Sequence, residues 1–361
     1  MSTRARRSRA LLVSATAALS LGVLAAPAGA LSPSATMPSQ IGADRSVPPA
    51  AGVERWAAGV ERWAGADRYA TSAAISERSF HPGVSVAYVT SGLVFTDALS
   101  GAPVAARSGS PVLLVRPDAI PSAIATELER LRPSRIVVLG GSNSVSVEVE
   151  HALTRFAGDG GVVRIDGVDR FDASAAISRS AFAPGVKVAF ITSGRKFTDA
   201  LSVAPVAGRG GNPVLLVEHE SLPGVIATEL RRLRPGRIVV LGGNGSVRDS
   251  VVDQLRQFTS GPVPRWAGSD RYETSAAISR ASFAPGVRVA FIASGEVFSD
   301  ALSGAPVAGV SGSPMLLVSP TRIPESIRTE LARLRPQRIV VLGGTSTISA
   351  GVEADLAAYV S

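Results

Sequence analysis

Apolar positions along this chain fall into short unbroken runs. VAYVT closes the segment 84–90, PVLLV occupies 111–115 and RIVVL occupies 135–139. Runs of this length suit strands covered on both faces, as in a parallel sheet, better than half-exposed strands, which alternate. Helix signals separate them. A short strand at 62–64 turns at Gly65, and Asp67 stands as an N-cap before a small apolar face on Ala73, Ala74 and Ile75. Ser91-Gly92 turns the next strand into a helix expected to start near Thr96, with Pro103 kinking or restarting it. Pro121 opens a helix running to about Leu131, which Arg132-Pro133 ends. Gly140-Gly141 then leads to a last helix near 144–156. Alternating strands and helices predict a mostly parallel sheet with helices on both faces and right-handed crossovers.

The same pattern occurs three times. WAGADRYATSAAIS (63–76) returns as IDGVDRFDASAAIS (165–178) and WAGSDRYETSAAIS (266–279). TSGLVFTDALSGAPVA (90–105) returns at 192–207 and 293–308, and RIVVLGG at 135–141, 237–243 and 338–344. The Asp-Arg aspartate precedes the Phe-x-Asp-Ala-Leu aspartate by 30 residues in every copy, and the Gly-Gly pair follows 43 later. A unit of about a hundred residues is a domain rather than a solenoid repeat. The expected fold is therefore α/β: three tandem Rossmann-like, doubly wound parallel-sheet domains in a pseudo-threefold arrangement. The domains are drawn at 60–160, 161–262 and 263–361, behind a signal peptide (1–30) and a flexible linker (31–59). The heptad AGVERWA stands at 51–57 and again at 58–64; only the second copy leads into the domain.

The amino-terminal segment corrects the bulk charge. Arg4, Arg6, Arg7 and Arg9 precede an apolar stretch at 10–26 and a small-x-small site at Ala28-Gly29-Ala30, the order of a secretory signal. Removing these four of the 37 basic residues leaves 33 against 29 acidic ones, so +8 becomes +4. That excess is too small to propose nucleic acid as a partner. No other long apolar run holds the mature chain in a membrane, and no cysteine is present, which excludes thiol chemistry and Cys-based metal sites. With no lipobox cysteine and no sorting motif, retention on the cell is expected to be non-covalent. The sequence leaves Sec or Tat export, and the oligomeric state, open.

Candidate binding residues are those repeated at fixed spacing. Asp67, Asp169 and Asp270 are read as N-caps. Arg68, Arg170 and Arg271 are not needed for capping, and two roles stay open: anchoring a phosphate or uronate, or pairing with Asp97, Asp199 and Asp300. Ser91-Gly92, Ser193-Gly194 and Ser294-Gly295 follow an inner strand, where a sugar or phosphate would approach backbone amides. The Gly-Gly turns match neither G-x-G-x-x-G nor a P-loop, so no nucleotide is expected, and no cofactor or metal. The three histidines (His81, His151, His219) occupy non-equivalent positions, and no H-E-x-x-H or G-x-S-x-G occurs.

Together, [WI]-x-G-x-D-R-[YF]-x-[TA]-S-A-A-I-S, F-[TS]-D-A-L-S-x-A-P and V-L-G-G resemble the type 2 cell wall-binding repeat family over nearly all of 60–361. That family is found in triplets on secreted and surface-layer proteins of Gram-positive bacteria, here an actinobacterial type. The resemblance implies parallel-sheet domains in a pseudo-trimer that attaches non-covalently to an anionic wall polymer, such as a teichoic-acid-like glycan. It makes Arg68, Arg170, Arg271, Asp97, Asp199 and Asp300 the candidate contacts. Repeat 2 departs from the pattern at Ile165-Asp166, Phe171 and Val203. The expected function is a non-catalytic cell wall-binding protein at the cell surface. The alternatives are a wall hydrolase of amidase or glycosidase type using the repeated carboxylates, and a self-assembling surface scaffold.

Overall fold

The computed structural model describes residues 59–96 and 98–361. The signal peptide, all but the last residue of the linker, the upstream heptad and Asp97 lie outside the described residues. Those described belong to one compact unit.

Each sequence repeat contributes four strands and four helices. The first supplies β1 (Gly59–Trp63), α1 (Arg68–Glu77), β2 (Val86–Ser91), α2 (Gly101–Ser108), β3 (Val112–Val115), α3 (Ser122–Leu131), β4 (Arg135–Leu139) and α4 (Val147–Leu153). The second supplies β5 (Val162–Ile165), α5 (Arg170–Ala181), β6 (Val188–Ser193), α6 (Phe197–Arg209), β7 (Val214–Val217), α7 (Gly224–Leu233), β8 (Arg237–Leu241) and α8 (Asp249–Leu255). The third supplies β9 (Arg265–Trp266), α9 (Arg271–Ser282), β10 (Val289–Ser294), α10 (Ser299–Val310), β11 (Met315–Val318), α11 (Glu325–Leu334), β12 (Arg338–Leu342) and α12 (Ala350–Leu356).

Chemistry at the element ends explains their bounds. Asp67, Asp169 and Asp270 cap α1, α5 and α9, each accepting the amides two and three residues on at 2.8–2.9 Å. The helices α3, α7 and α11 follow Pro121, Pro223 and Pro324, and end on Arg132, Arg234 and Arg335. These arginines adopt a left-handed conformation (φ 44–46°) that closes each helix, their amides donating back to the carbonyls of Leu128, Leu230 and Leu331, and the proline after each cannot continue the helix. One expectation shifts. A helix was expected from Thr96, but α2 begins only at Gly101, whereas α6 and α10 begin at Phe197 and Ser299.

The described strands form three four-stranded sheets in the orders β3-β2-β4-β5, β7-β6-β8-β9 and β1-β12-β10-β11. All their pairings are parallel. The fourth strand of every sheet comes from the neighbouring sequence repeat. β5 joins the first sheet and β9 the second, while β1 joins the third, with Gly59 opposite Arg338 and Trp63 opposite Leu342. This last exchange closes a ring.

The ring is held at its centre by α2, α6 and α10, which pack on one another. Small buried residues (Ala105 and Ala106, Ala207 and Gly208, Ala308 and Gly309) permit the close approach. At the start of these segments Phe95, Phe197 and Phe298 meet as a trio, with ring centres 5.5, 5.5 and 6.2 Å apart. Buried apolar side chains from all three sheets merge into one continuous cluster, and a second cluster underlies the third repeat.

Candidate functional site

The repeated residues gather where one repeat meets the next. Asp199, in the first turn of α6, and Asp300, in the first turn of α10, are 4% and 3% exposed. Burial pushes both carboxyls above the ordinary 3.8. The rise at Asp199 is opposed by the charges of Lys196 and Arg271 and by the hydroxyls of Thr198 and Ser246. At Asp300 it is opposed by the Ser299 and Thr347 hydroxyls and the charge of Arg68. Each carboxylate therefore faces the arginine of the following repeat, with the third repeat facing the first. Pairing within one repeat is not found for Asp199 or Asp300. Asp97, which would complete the series, lies outside the described residues.

The arginines are held by backbone carbonyls rather than by close ion pairs among the described residues. Arg68, Arg170 and Arg271 donate from Nη1 to the carbonyls of Gly92, Gly194 and Gly295 at 2.6, 2.8 and 2.5 Å. Among the described residues none of the three makes an ion pair within 4.0 Å. Among the described residues the other guanidinium nitrogens make no hydrogen bond.

Ser-Gly plays a different part from the expected amide cradle. The amides of Gly92, Gly194 and Gly295 are spent on Val115, Val217 and Val318 of the adjoining strand. The serine hydroxyls accept from the turn behind them: Ser91 from Leu93 and Val94, Ser193 from Arg195, Ser294 from Glu296. A Cβ on the glycine would meet the ring of Tyr69, Phe171 or Tyr272 at 2.6–2.7 Å. These residues support the arginine through the glycine carbonyl and offer no amide to a ligand.

The Gly-Gly turns form the floor against the buried carboxylates. Gly242 and Gly343 have φ of 82° and 97°, and a Cβ there would lie 2.3 and 2.1 Å from Oδ2 of Asp199 and Asp300. A second repeated arginine, which the sequence reading passed over, locks this turn. Arg62, Arg164 and Arg265 each donate at 2.6 Å to the first Gly-Gly carbonyl of the preceding repeat, Gly343, Gly140 and Gly242. Each is paired with a carboxylate there: Glu353, Glu150 and Asp249.

A further repeated set was also passed over. Glu127, Glu229 and Glu330 are buried, each receiving a serine hydroxyl at 2.5 Å and a two-pronged arginine three residues on. Those arginines also bond the carbonyls of Phe80, Phe182 and Phe283, so both oxygens of each carboxylate are engaged and the set fastens helix to helix. Its signal was the triplicated T-E-L-x-R-L, read only as helix.

Between the second and third repeats these parts enclose a cavity of about 390 Å³, lined by Lys196, Phe197, Asp199, Ser246, Asp270 and Arg271 among others. Among the described residues, no group of three or more His, Asp or Glu side chains is arranged to hold a metal. None of the described helices is long and apolar enough to cross a membrane.

Residues 62–150, 164–252 and 265–353 each match Cell wall binding domain 2, CWB2. The chain belongs to the CWB2 family. The CWB2 region is 31% identical over 293 residues to the "Amidase enhancer" of Bacillus subtilis (strain 168), covering 81% of this chain and 39% of that protein. It is 25% identical over 288 residues to "N-acetylmuramoyl-L-alanine amidase LytC" of the same organism, covering 80% of this chain and 56% of that one. The chain thus spans less than two thirds of either relative. Among solved structures it is similar to Cwp6 from Clostridium difficile (TM-score 0.78, 25% identity, 84% of this chain and 48% of that one). It is similarly close to Cwp8 from Clostridium difficile (TM-score 0.75, 27% identity, 84% and 52%). Cell wall binding through three tandem CWB2 repeats follows from the family, and the CWB2 ring from the fold.

Proposed function

We propose that this protein is a non-catalytic wall anchor that grips an anionic wall glycopolymer at the crevices between its repeats. The observation carrying this reading is the set of arginines, Arg68, Arg170 and Arg271, aimed by glycine carbonyls yet in no close ion pair among the described residues. Guanidinium groups with free donors suit phosphodiester or carboxylate oxygens. Recurrence of one arrangement around a ring suits a ligand that itself repeats, because linked weak contacts gain from effective concentration. Export behind a signal cleaved after Ala30, and residence in the wall outside the membrane, belong to the same proposal.

A hydrolase reading takes its support from the relative named as an amidase. The repeated aspartates favour it less, since Asp67, Asp169 and Asp270 are committed as N-caps. The deciding experiment incubates purified protein with isolated cell walls before and after removal of anionic polymer. Binding is expected to fall on stripped walls and at high salt. Equal binding to stripped walls sinks the polymer assignment, and release of amino groups or reducing ends from the wall sinks the non-catalytic one.

A further inference from the structure

We propose that the three crevices are unequal, and that the one between the second and third repeats is the dominant seat for the anionic glycan. This rests on the wall-binding reading and sharpens it. The two positions ahead of the motif phenylalanine decide the matter. They are Leu93-Val94 before Phe95, Arg195-Lys196 before Phe197 and Glu296-Val297 before Phe298. The crevice between the second and third repeats is therefore lined by Arg195, Lys196 and Arg271 with Asp199 and Asp270, and because Arg195 is paired with Glu218 at 3.1 Å, Lys196 and Arg271 are its cations without an ion-pair partner among the described residues. In the other two crevices Val94 and Val297 take the place of Lys196, so Arg68, whose charge acts on Asp300, has no lysine from that position beside it. A polyanion therefore meets one more cation, Lys196, in the crevice between the second and third repeats than in the others.

The geometry of the cationic crevice suits a glycan rather than a lone ion. Lys196 reaches across to the turn behind β8, donating to the Gly245 carbonyl at 3.0 Å and the Ser246 hydroxyl at 3.3 Å. The α6 terminus beside it has no side-chain cap, so its dipole adds to the positive field. Arg271 spends one nitrogen on Gly295 and keeps the rest. Phe197 lines the cavity and also belongs to the phenylalanine trio, giving an apolar wall for a sugar ring beside the cations. The ligand chemistry is a glycan carrying a phosphodiester or carboxylate.

The test compares the full chain with its R195L/K196V variant, which imports the first repeat's residues at two exposed positions. Calorimetric titration uses oligo(glycerol phosphate) in one arm and oligogalacturonate in the other, which separates phosphodiester from carboxylate. Wall pull-down runs in parallel, and a thermal melt confirms folding. The wild type is expected to take up one equivalent of one oligomer, and the variant to lose about tenfold or more in affinity, the worth of one charge-assisted hydrogen bond. The variant is also expected to release from walls at lower salt. Two or three equal equivalents, or a variant that holds walls as the wild type does, overturns the inequality while wall binding stands. A wild type that binds neither walls nor oligomers overturns the underlying reading as well.

Discussion

Replacing Trp63 with alanine tests ring closure. Trp63 is fully buried, lies in the strand that crosses to the third sheet, and meets Phe291 edge to face at 5.8 Å. Truncating a buried tryptophan removes its transfer energy and leaves a cavity, together about 3–5 kcal/mol. At about 1.4 kcal/mol per tenfold, the opening constant rises roughly a hundredfold to a few thousandfold. Denaturant unfolding followed by far-UV circular dichroism measures the loss, and hydrogen exchange locates it. The amides of β12 (Arg338–Leu342) should be the first to lose protection, since β1 covers that strand. A loss below about 1 kcal/mol, or early exchange in β2 and β4 with β12 still protected, would mean that β1 serves its own repeat, and the exchange of strands would be refuted.

Other perturbations have defined outcomes. Glu330→Ala leaves Arg333 and Ser279 without their buried acceptor, and because Arg333 is partly wet the cost in a urea melt should be about 2–3 kcal/mol, below that of a fully enclosed pair. Gly343→Ala forces a left-handed backbone and drives a methyl onto Asp300, so a loss of about 1–3 kcal/mol is expected, while Gly141→Ala, with open space around it, should be near neutral. The raised carboxyls of Asp199 and Asp300 bind protons more tightly folded than unfolded. Their burden is absent below about pH 3.8 and grows as pH rises toward the folded value. The D199N/D300N variant should therefore gain stability relative to the wild type as pH climbs above about 4, and a pH series of denaturant midpoints that runs parallel for the two proteins would contradict this.

Much of the fold was readable because its signals are local. Unbroken apolar runs, Asp N-caps and helix-opening prolines each act within a few residues, and the structure places them as the pattern implies. The exchange of strands was not readable for a physical reason. With three copies at near-constant spacing, β5 presents the same RI or RW edge whether it pairs with β4 or stays in its own repeat, so periodicity cannot distinguish the two registers. The site suffered the same ambiguity: Asp199 faces Arg271 rather than Arg170 because the crevice lies across a repeat boundary. Arg62, Arg164 and Arg265 were visible as a triplicated position, but their purpose depends on the neighbouring Gly-Gly carbonyl, which only the folded ring brings near. Ser-Gly was read as an open amide, but the amides of Gly92, Gly194 and Gly295 are committed to the sheet.

Closure by β1 also removes any privileged beginning from the fold. The Gly59 amide bonds to Gln337 and the Ser361 amide to Pro336, so the first and last described residues emerge side by side. A permuted chain that starts at Gly161, with Ser361 tied to Gly59 by a short tether, would retrace the same ring, because all three joints are equivalent. A passenger joined directly to Gly59 or to Ser361 would leave from one shared corner.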